Sequence, residues 1–273
     1  MLTLFAIPKA FEGHVGVIQR NALESWKRLR PACDVILLGD DRGTAEAAAR
    51  LGFRHEPRIP RNASGTPLVN GLFAEAERLS RHELMAYVNA DIILLDDFVP
   101  AVERAARAHR RFLVVGHRWD LDVPDPLDFA DGWGGALRQR LERDARLHAP
   151  TGIDYFVFPR GLWGEIPPFA VGRTVWDNWF IFRARSLGVP VLDATDVITA
   201  VHQNHGYAHH PGGAAGIWGG EEARRNRALA GGDRNVYDLR DADWRMTASR
   251  VRRRPAAAVR DLSRSLRRLA GRR

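Results

Sequence analysis

From residue 2 to residue 115, apolar runs of strand length alternate with stretches of helical periodicity. That alternation restricts the chain to a mostly parallel sheet with crossover helices. Leu2–Ile7, Asp34–Leu38, Phe53–Glu56, Glu83–Val88 and Arg111–Val115 read as strands. His14–Leu29, Thr44–Leu51, Pro67–Leu79 and Phe98–Ala108 read as helices. In the first helix Val17, Ile18, Ala22, Trp26 and Leu29 recur at helical spacing, and Gly52 stands where the second helix needs a cap.

The second half is less regular. Trp119–Phe129 reads as a loop rich in Asp and Pro, Ile153–Phe158 as a strand, and Thr174–Ser186 as a helix stopped by Gly188. Val189–Leu192 and Val197–Val201 read as further strands, and Glu221–Ala230 as a short helix after a loop. The expected division is one folded domain over residues 1–230 and a basic appendage, partly helical or disordered, over 231–273.

Charge sharpens that division. The formal net charge is +8, yet residues 250–273 alone carry ten arginines against a single acid, Asp261. The remaining residues balance to within one charge, which argues against nucleic acid as the main partner of the folded part. Val259, Leu262, Leu266 and Leu269 mark one face of a possible tail helix. Such a basic amphipathic helix can lie on anionic lipid, and a solvated disordered tail is the alternative. The single cysteine, Cys33, excludes an internal disulfide and a cysteine-built zinc site. Apolar runs such as Ile92–Leu95 are too short to span a bilayer. Met1–Ala6 reads as a buried strand and not as a signal peptide. The expected location is cytoplasmic, including the inner membrane face.

Three stretches carry chemistry. Tyr87-Val88-Asn89-Ala90-Asp91 puts an acid at the carboxyl end of a buried strand, where open α/β sheets bind ligands. A divalent cation with diphosphate oxygens suits such a carboxylate, and helix capping is the alternative. Trp176-Asp177 opens the Thr174–Ser186 helix; its acid is either a dipole partner or a general base. His202, His205, His209 and His210 cluster at a strand end. Their spacing fits no standard zinc pattern, and His202 alone as a ligand is the preferred reading.

In this order and spacing the three stretches resemble the nucleotide-sugar-dependent glycosyltransferases of the GT-A fold, and the large inverting bacterial family in particular. Asn89-Ala90-Asp91 stands where those proteins have an acidic DxD-type motif. Trp176-Asp177 stands where an xED motif supplies the catalytic Asp, and His202 where a metal-binding His is often found. That family typically has a Gly eleven residues after the catalytic Asp, and Gly188 is eleven after Asp177. Gly65, in Asn62–Pro67, resembles the glycine loop near the nucleotide sugar.

The resemblance spans residues 2 to 205 and departs at two places. Asn89 replaces the first acid of DxD, and Trp176 replaces the Glu of xED, which implies either weaker metal dependence or an inactive relative. It implies a GT-A-like, Rossmann-related sheet in a single domain, with Asp91 and His202 on Mn²⁺ or Mg²⁺ and Asp177 as base, giving inversion. It puts Pro8, Lys9, Asp40, Gly65, Asn89 and Asp91 at the nucleotide sugar, and Asp154 and Trp176 at the acceptor, a hydroxyl of a glycan, a lipid-linked glycan or a small molecule. A nucleotidyltransferase on a similar sheet is the enzymatic alternative, although Ala6–Gly16 lacks the Gly-rich basic loop it would need. A non-catalytic nucleotide-sugar-binding or membrane-surface module is the other.

Overall fold

A computed structural model of the chain describes residues 1–206, 218–255 and 260. His209, His210 and the apolar tail positions lie outside them. In chain order the elements are β1 (Leu2–Ala6), α1 (Gly13–Lys27), β2 (Asp34–Leu38), α2 (Thr44–Leu51), β3 (Arg54–Glu56), α3 (Val69–Leu79), β4 (Leu84–Val88), β5 (Ile92–Leu94), α4 (Phe98–Ala108) and β6 (Leu113–Val115). There follow β7 (Trp119–Leu121), α5 (Trp133–Asp144), β8 (Arg146–Leu147), β9 (Tyr155–Pro159), α6 (Trp176–Ser186), β10 (Val191–Asp193), β11 (Ala200–Gln203), α7 (Glu221–Leu229), β12 (Trp244–Met246) and β13 (Val251–Arg253).

The main sheet has nine strands in the order β13-β12-β10-β6-β9-β4-β1-β2-β3. Five of its pairings are parallel; β9 runs antiparallel to both β4 and β6, and β13 antiparallel to β12. The sheet is therefore mixed but mostly parallel, as the alternation requires. A smaller sheet, β5-β11-β7-β8, hangs from the loop after β4.

Both faces of the main sheet are covered, so its central strands are almost wholly apolar, and the buried Thr3 of β1 is satisfied by Ser80. In β1, Leu4 and Ala6 face a core shared with Trp26 and Phe98, whereas Phe5 faces the opposite core with Phe73, Trp163 and Phe180. In that second core Phe73 stacks on Phe180 at 4.8 Å and meets Phe5 edge-on at 5.1 Å. Each such fully buried ring contributes about 1.5–3 kcal/mol by leaving water. This packing fixes α6 against the sheet and so fixes where its first turn lies. Gly188, with φ of +66°, ends α6 in the left-handed region that other residues enter at a cost.

The second half corrects two sequence expectations and adds a helix. Trp119–Leu121 is a strand and not part of a loop, because it pairs in parallel with β11. Residues 133–144 form a helix whose apolar face is only Leu137 and Leu141, too narrow to register as a periodicity. The chain also goes on building the sheet beyond residue 230: β12 pairs with β10, and Leu239, Ala242 and Met246 are buried. Among the described residues no helix is long and apolar enough to cross a membrane.

Candidate active site

Five segments deliver polar side chains to the carboxyl ends of β1 and β4. Lys9 follows β1, and Asn89-Ala90-Asp91 follows β4. Asp154 precedes β9, whose antiparallel pairing sets Tyr155 opposite Val88. Trp176 and Asp177 form the first turn of α6, and His205 follows β11. Lys9, Asn89, Asp91, Asp154, Trp176, Asp177 and His205 all line one cleft of about 210 Å³, together with Arg173.

Asp91 is the centre of the first half of the site. Its Oδ2 lies 3.0 Å from His205 Nε2 and 3.8 Å from His202 Nε2. Burial would push the Asp91 carboxyl up, but the His205 hydrogen bond and the nearby His202, His205 and Lys9 outweigh it. They hold the group well below the usual carboxylate range. The same hydrogen bond raises the His205 pKa. Asp91 Oδ1 is buried with no hydrogen-bond partner among the described residues. One ligand atom from each of Asp91, His202 and His205 falls within 4.8 Å of the others. A buried carboxylate oxygen without a donor, beside two imidazoles, fits a divalent cation.

Behind this cluster runs a chain of ion pairs. His202 Nδ1 is 3.2 Å from Asp120 Oδ1, and His148 Nδ1 is 2.6 Å from Asp120 Oδ2. Burial raises the Asp120 pKa, but the bonds to His202 and His148 and the charge of Arg118 bring it well below its ordinary value. Arg118 donates from Nε to Asp120 at 2.9 Å and from Nη1 to Asp154 Oδ2 at 2.7 Å. Asn89 Nδ2 donates to Asp154 Oδ1 at 2.6 Å, and Tyr87 donates its hydroxyl to Asn89 Oδ1 at 2.8 Å. Each Asp154 oxygen is thus engaged, which makes Asp154 a tie between β4 and Arg118.

Asp177 is differently placed. The Asn178 backbone N–H donates to its Oδ1 at 2.9 Å. Burial, reinforced by the charge of Asp154, pushes its carboxyl up to about 7. The residue two before it, Val175, has φ of +87°, an outlier for a β-branched side chain. Backbone strain of this kind gathers where surrounding structure holds a functional segment in place. Trp176 packs edge-on against Tyr87 at 5.4 Å and belongs to the core as much as to the cleft.

The remaining sequence candidates lie elsewhere. Asp40 ion-pairs with Arg61, and neither lines the cleft. Gly65, with φ of +79°, closes the turn over Asn62–Thr66, where its N–H bonds the Asn62 carbonyl. Pro8 is buried and also stands outside the lining. Pro8 and Asp40 follow the ends of β1 and β2 closely in sequence, and that proximity does not bring them to the cleft. His202 is not a lone ligand candidate, since His205 lies closer to Asp91. Sequence reading also missed Arg118, Asp120 and Arg173. Arg173 is gripped by Glu222 of α7 through Nε at 2.8 Å and Nη2 at 2.7 Å. Only the presence of His205 in the histidine run gave any prior signal.

With the mixed sheet, the acid after β4 and the acid opening α6, the chain has the GT-A fold of nucleotide-sugar glycosyltransferases. Solved structures give that fold its particular likenesses. Glucosyl-3-phosphoglycerate synthase from Mycobacterium tuberculosis, in complex with Mn²⁺, uridine diphosphate and glucosyl-3-phosphoglycerate, matches with a TM-score of 0.50 at 16% identity. The match covers 84% of this chain and 78% of that one. A mycobacterial protein is similar at 18% identity over 86% of this chain and 74% of its own, with a TM-score of 0.49. Residues 1–349 of S. aureus TarS match at 11% identity with a TM-score of 0.36, over 45% of this chain and only 36% of that one. No protein-family model matches this sequence, and no curated protein matches it.

Proposed function

We propose that this protein transfers a sugar from a nucleoside diphosphate sugar to an acceptor hydroxyl, with inversion at the anomeric carbon. The observation that carries the reading is a carboxyl pushed up to about 7, Asp177, in the same cleft as Asp91 and His205. A general base works best with a pKa near the working pH, and Asp177 meets that condition. It accepts the proton of the acceptor hydroxyl at its carboxylate, while Asp154 stays tied to Asn89 and Arg118.

Asp91, His202 and His205 would hold a divalent ion, Mn²⁺ or Mg²⁺, which when bound supplies positive charge to the leaving diphosphate. Lys9 and Arg173 add their own positive charge from the same cleft. The similar synthase structure in complex with Mn²⁺ and uridine diphosphate supports this reading. The acceptor is a hydroxyl of a glycan, a lipid-linked glycan or a small molecule. Of the ten arginines of residues 250–273, Arg254 and Arg260 pair with Asp193 and Asp241, and the others suit contact with an anionic membrane face or a solvated tail.

The reading is tested by incubating the full chain with Mn²⁺ and a panel of nucleoside diphosphate sugars while following release of the nucleoside diphosphate. Release that falls steeply in both Asp91→Asn and Asp177→Asn supports it. Release undiminished by either substitution overturns it. Pyrophosphate release from nucleoside triphosphates and sugar phosphates would favour the nucleotidyltransferase instead.

A further inference from the structure

Val175 holds its φ of +87° one residue before α6 begins, and a β-branched side chain keeps such a backbone only where its surroundings over-determine it. α7 supplies that constraint. Ala170 forms an isolated antiparallel bridge with Leu68, flanked by bonds from the Val69 N–H to the Phe169 carbonyl and from the Val171 N–H to the Pro67 carbonyl. That register turns the N–H and C=O of the buried Ala170 away from Leu68, and both need partners. The Asn226 side chain, only 1% exposed, provides them. Its Oδ1 accepts from the Ala170 N–H at 2.8 Å, and its Nδ2 donates to the Ala170 carbonyl at 3.0 Å. The same Nδ2 donates to the Thr174 carbonyl at 3.3 Å, which belongs to the peptide entering Val175. One turn earlier on the same face of α7, Glu222 accepts from Arg173 Nε at 2.8 Å and from Asn62 Nδ2 at 2.6 Å. On the far side of Val175, its carbonyl accepts from the Trp179 N–H at 2.8 Å and so closes the first turn of α6. The peptide that Asn226 holds therefore passes its orientation directly to the turn that bears Asp177.

We propose that α7 is a clasp on the approach to α6, and that Asn226 is a positioning residue for Asp177: its amide fixes the Thr174–Val175 peptide and so fixes where the Asp177 carboxyl stands in the cleft. The inference rests on reading Asp177 as the general base.

The test compares the full wild-type chain with Asn226→Asp, which conserves shape and the acceptor oxygen but removes the donating N–H groups, and with Asn226→Ala. Either variant that folds carries the readouts. Amide hydrogen exchange should quicken over residues 170–179 and stay unchanged in β1 and β4. A ¹³C titration of the Asp177 carboxyl, assigned by its loss in Asp177→Asn, should show a midpoint moved down from about 7 toward the ordinary carboxylate range as the turn opens to water. Turnover with Mn²⁺ and a nucleoside diphosphate sugar should fall by up to about a hundredfold with donor affinity little changed. Leu51→Ala, in the core on the other face of the sheet, is the stability control: it should lower the melting temperature and leave the Asp177 midpoint in place. Faster exchange over 170–179 with the Asp177 midpoint and turnover unmoved would make Asn226 merely structural and overturn the proposal. A midpoint that moves equally in Leu51→Ala would overturn it too. A wild-type chain that releases no nucleoside diphosphate from any donor sinks the general-base reading alone. The titration then still decides the clasp: a midpoint shifted by the Asn226 variants supports it, and an unshifted one overturns it.

Discussion

Asn89 donates its side-chain amide to Asp154 across the β4–β9 pair at 2.6 Å. This contact accounts for an amide where the resembling family has an acid. Asp154 already receives Arg118 on its other oxygen, and a carboxylate at position 89 would face it with no donor between them.

Asn89→Asp should therefore destabilise the fold, and do so in a pH-dependent way. One carboxyl of the new pair would have a folded-state pKa raised above its unfolded value. Its deprotonation would cost stability increasingly as pH rises above about 4. Urea unfolding should show a loss of about 1–3 kcal/mol at pH 7.5 and a smaller one at pH 4.5. An equal loss at both pH values would contradict the account of the Asn89–Asp154 contact.

Asp177→Asn separates chemistry from stability. Turnover should fall by about a hundred- to ten-thousand-fold with donor affinity little changed, as expected for loss of a proton acceptor. The wild-type Asp177 pKa of about 7 lies above its unfolded value. Its contribution to stability is thus full below about pH 4 and is lost as pH rises through 7. The asparagine variant lacks that loss, so its melting temperature should gain on wild type between pH 5 and pH 8. The wild-type rate at low substrate should rise with pH through about 7. A flat pH profile would remove Asp177 from the role of base.

Phe180→Ala should cost about 3–5 kcal/mol, because the ring is fully buried among Phe73, Trp163 and Trp176. The same cavity would loosen the first turn of α6, so activity should fall even at temperatures where the variant stays folded. Full activity in the folded variant would show that the packing of α6 does not position Asp177.

The clustered arginines at the carboxyl end give a prediction of their own. The full chain should co-sediment with anionic vesicles at low salt and be released at high salt, with residues 248–273 required. Binding that persists without those residues, or none at low salt, would contradict a peripheral membrane role for them.

The legible parts of the fold were those with strong local pattern. Asp34–Leu38, Thr44–Leu51 with its Gly52 cap, and Phe98–Ala108 lie where their periodicity puts them. β7 was not legible, because three residues among Asp and Pro carry no period and become a strand only by pairing with β11. β12 and β13 read as appendage because their arginines hide a short edge pairing in which Met246 alone is fully buried. In the site, Asn89, Asp91 and Asp177 stand at strand and helix ends that sequence can mark, and Asp154 and Trp176 join them in the cleft. Asp120 and Arg118 reach the site through a ladder register between segments about eighty residues apart, which no local signal encodes. Asp40 and Gly65 show the converse: a strand end and a glycine loop were visible, but their direction in space was not.

The central claim is that Asp91 anchors a cation-dependent nucleotide site. Its most direct test is calorimetric titration of the full chain with nucleoside diphosphates, with and without Mn²⁺, in wild type and Asp91→Asn. The account predicts nucleotide binding that requires Mn²⁺ in wild type and disappears in a still-folded Asp91→Asn chain. Equal affinity with and without Mn²⁺, or affinity unchanged by Asp91→Asn, would contradict it.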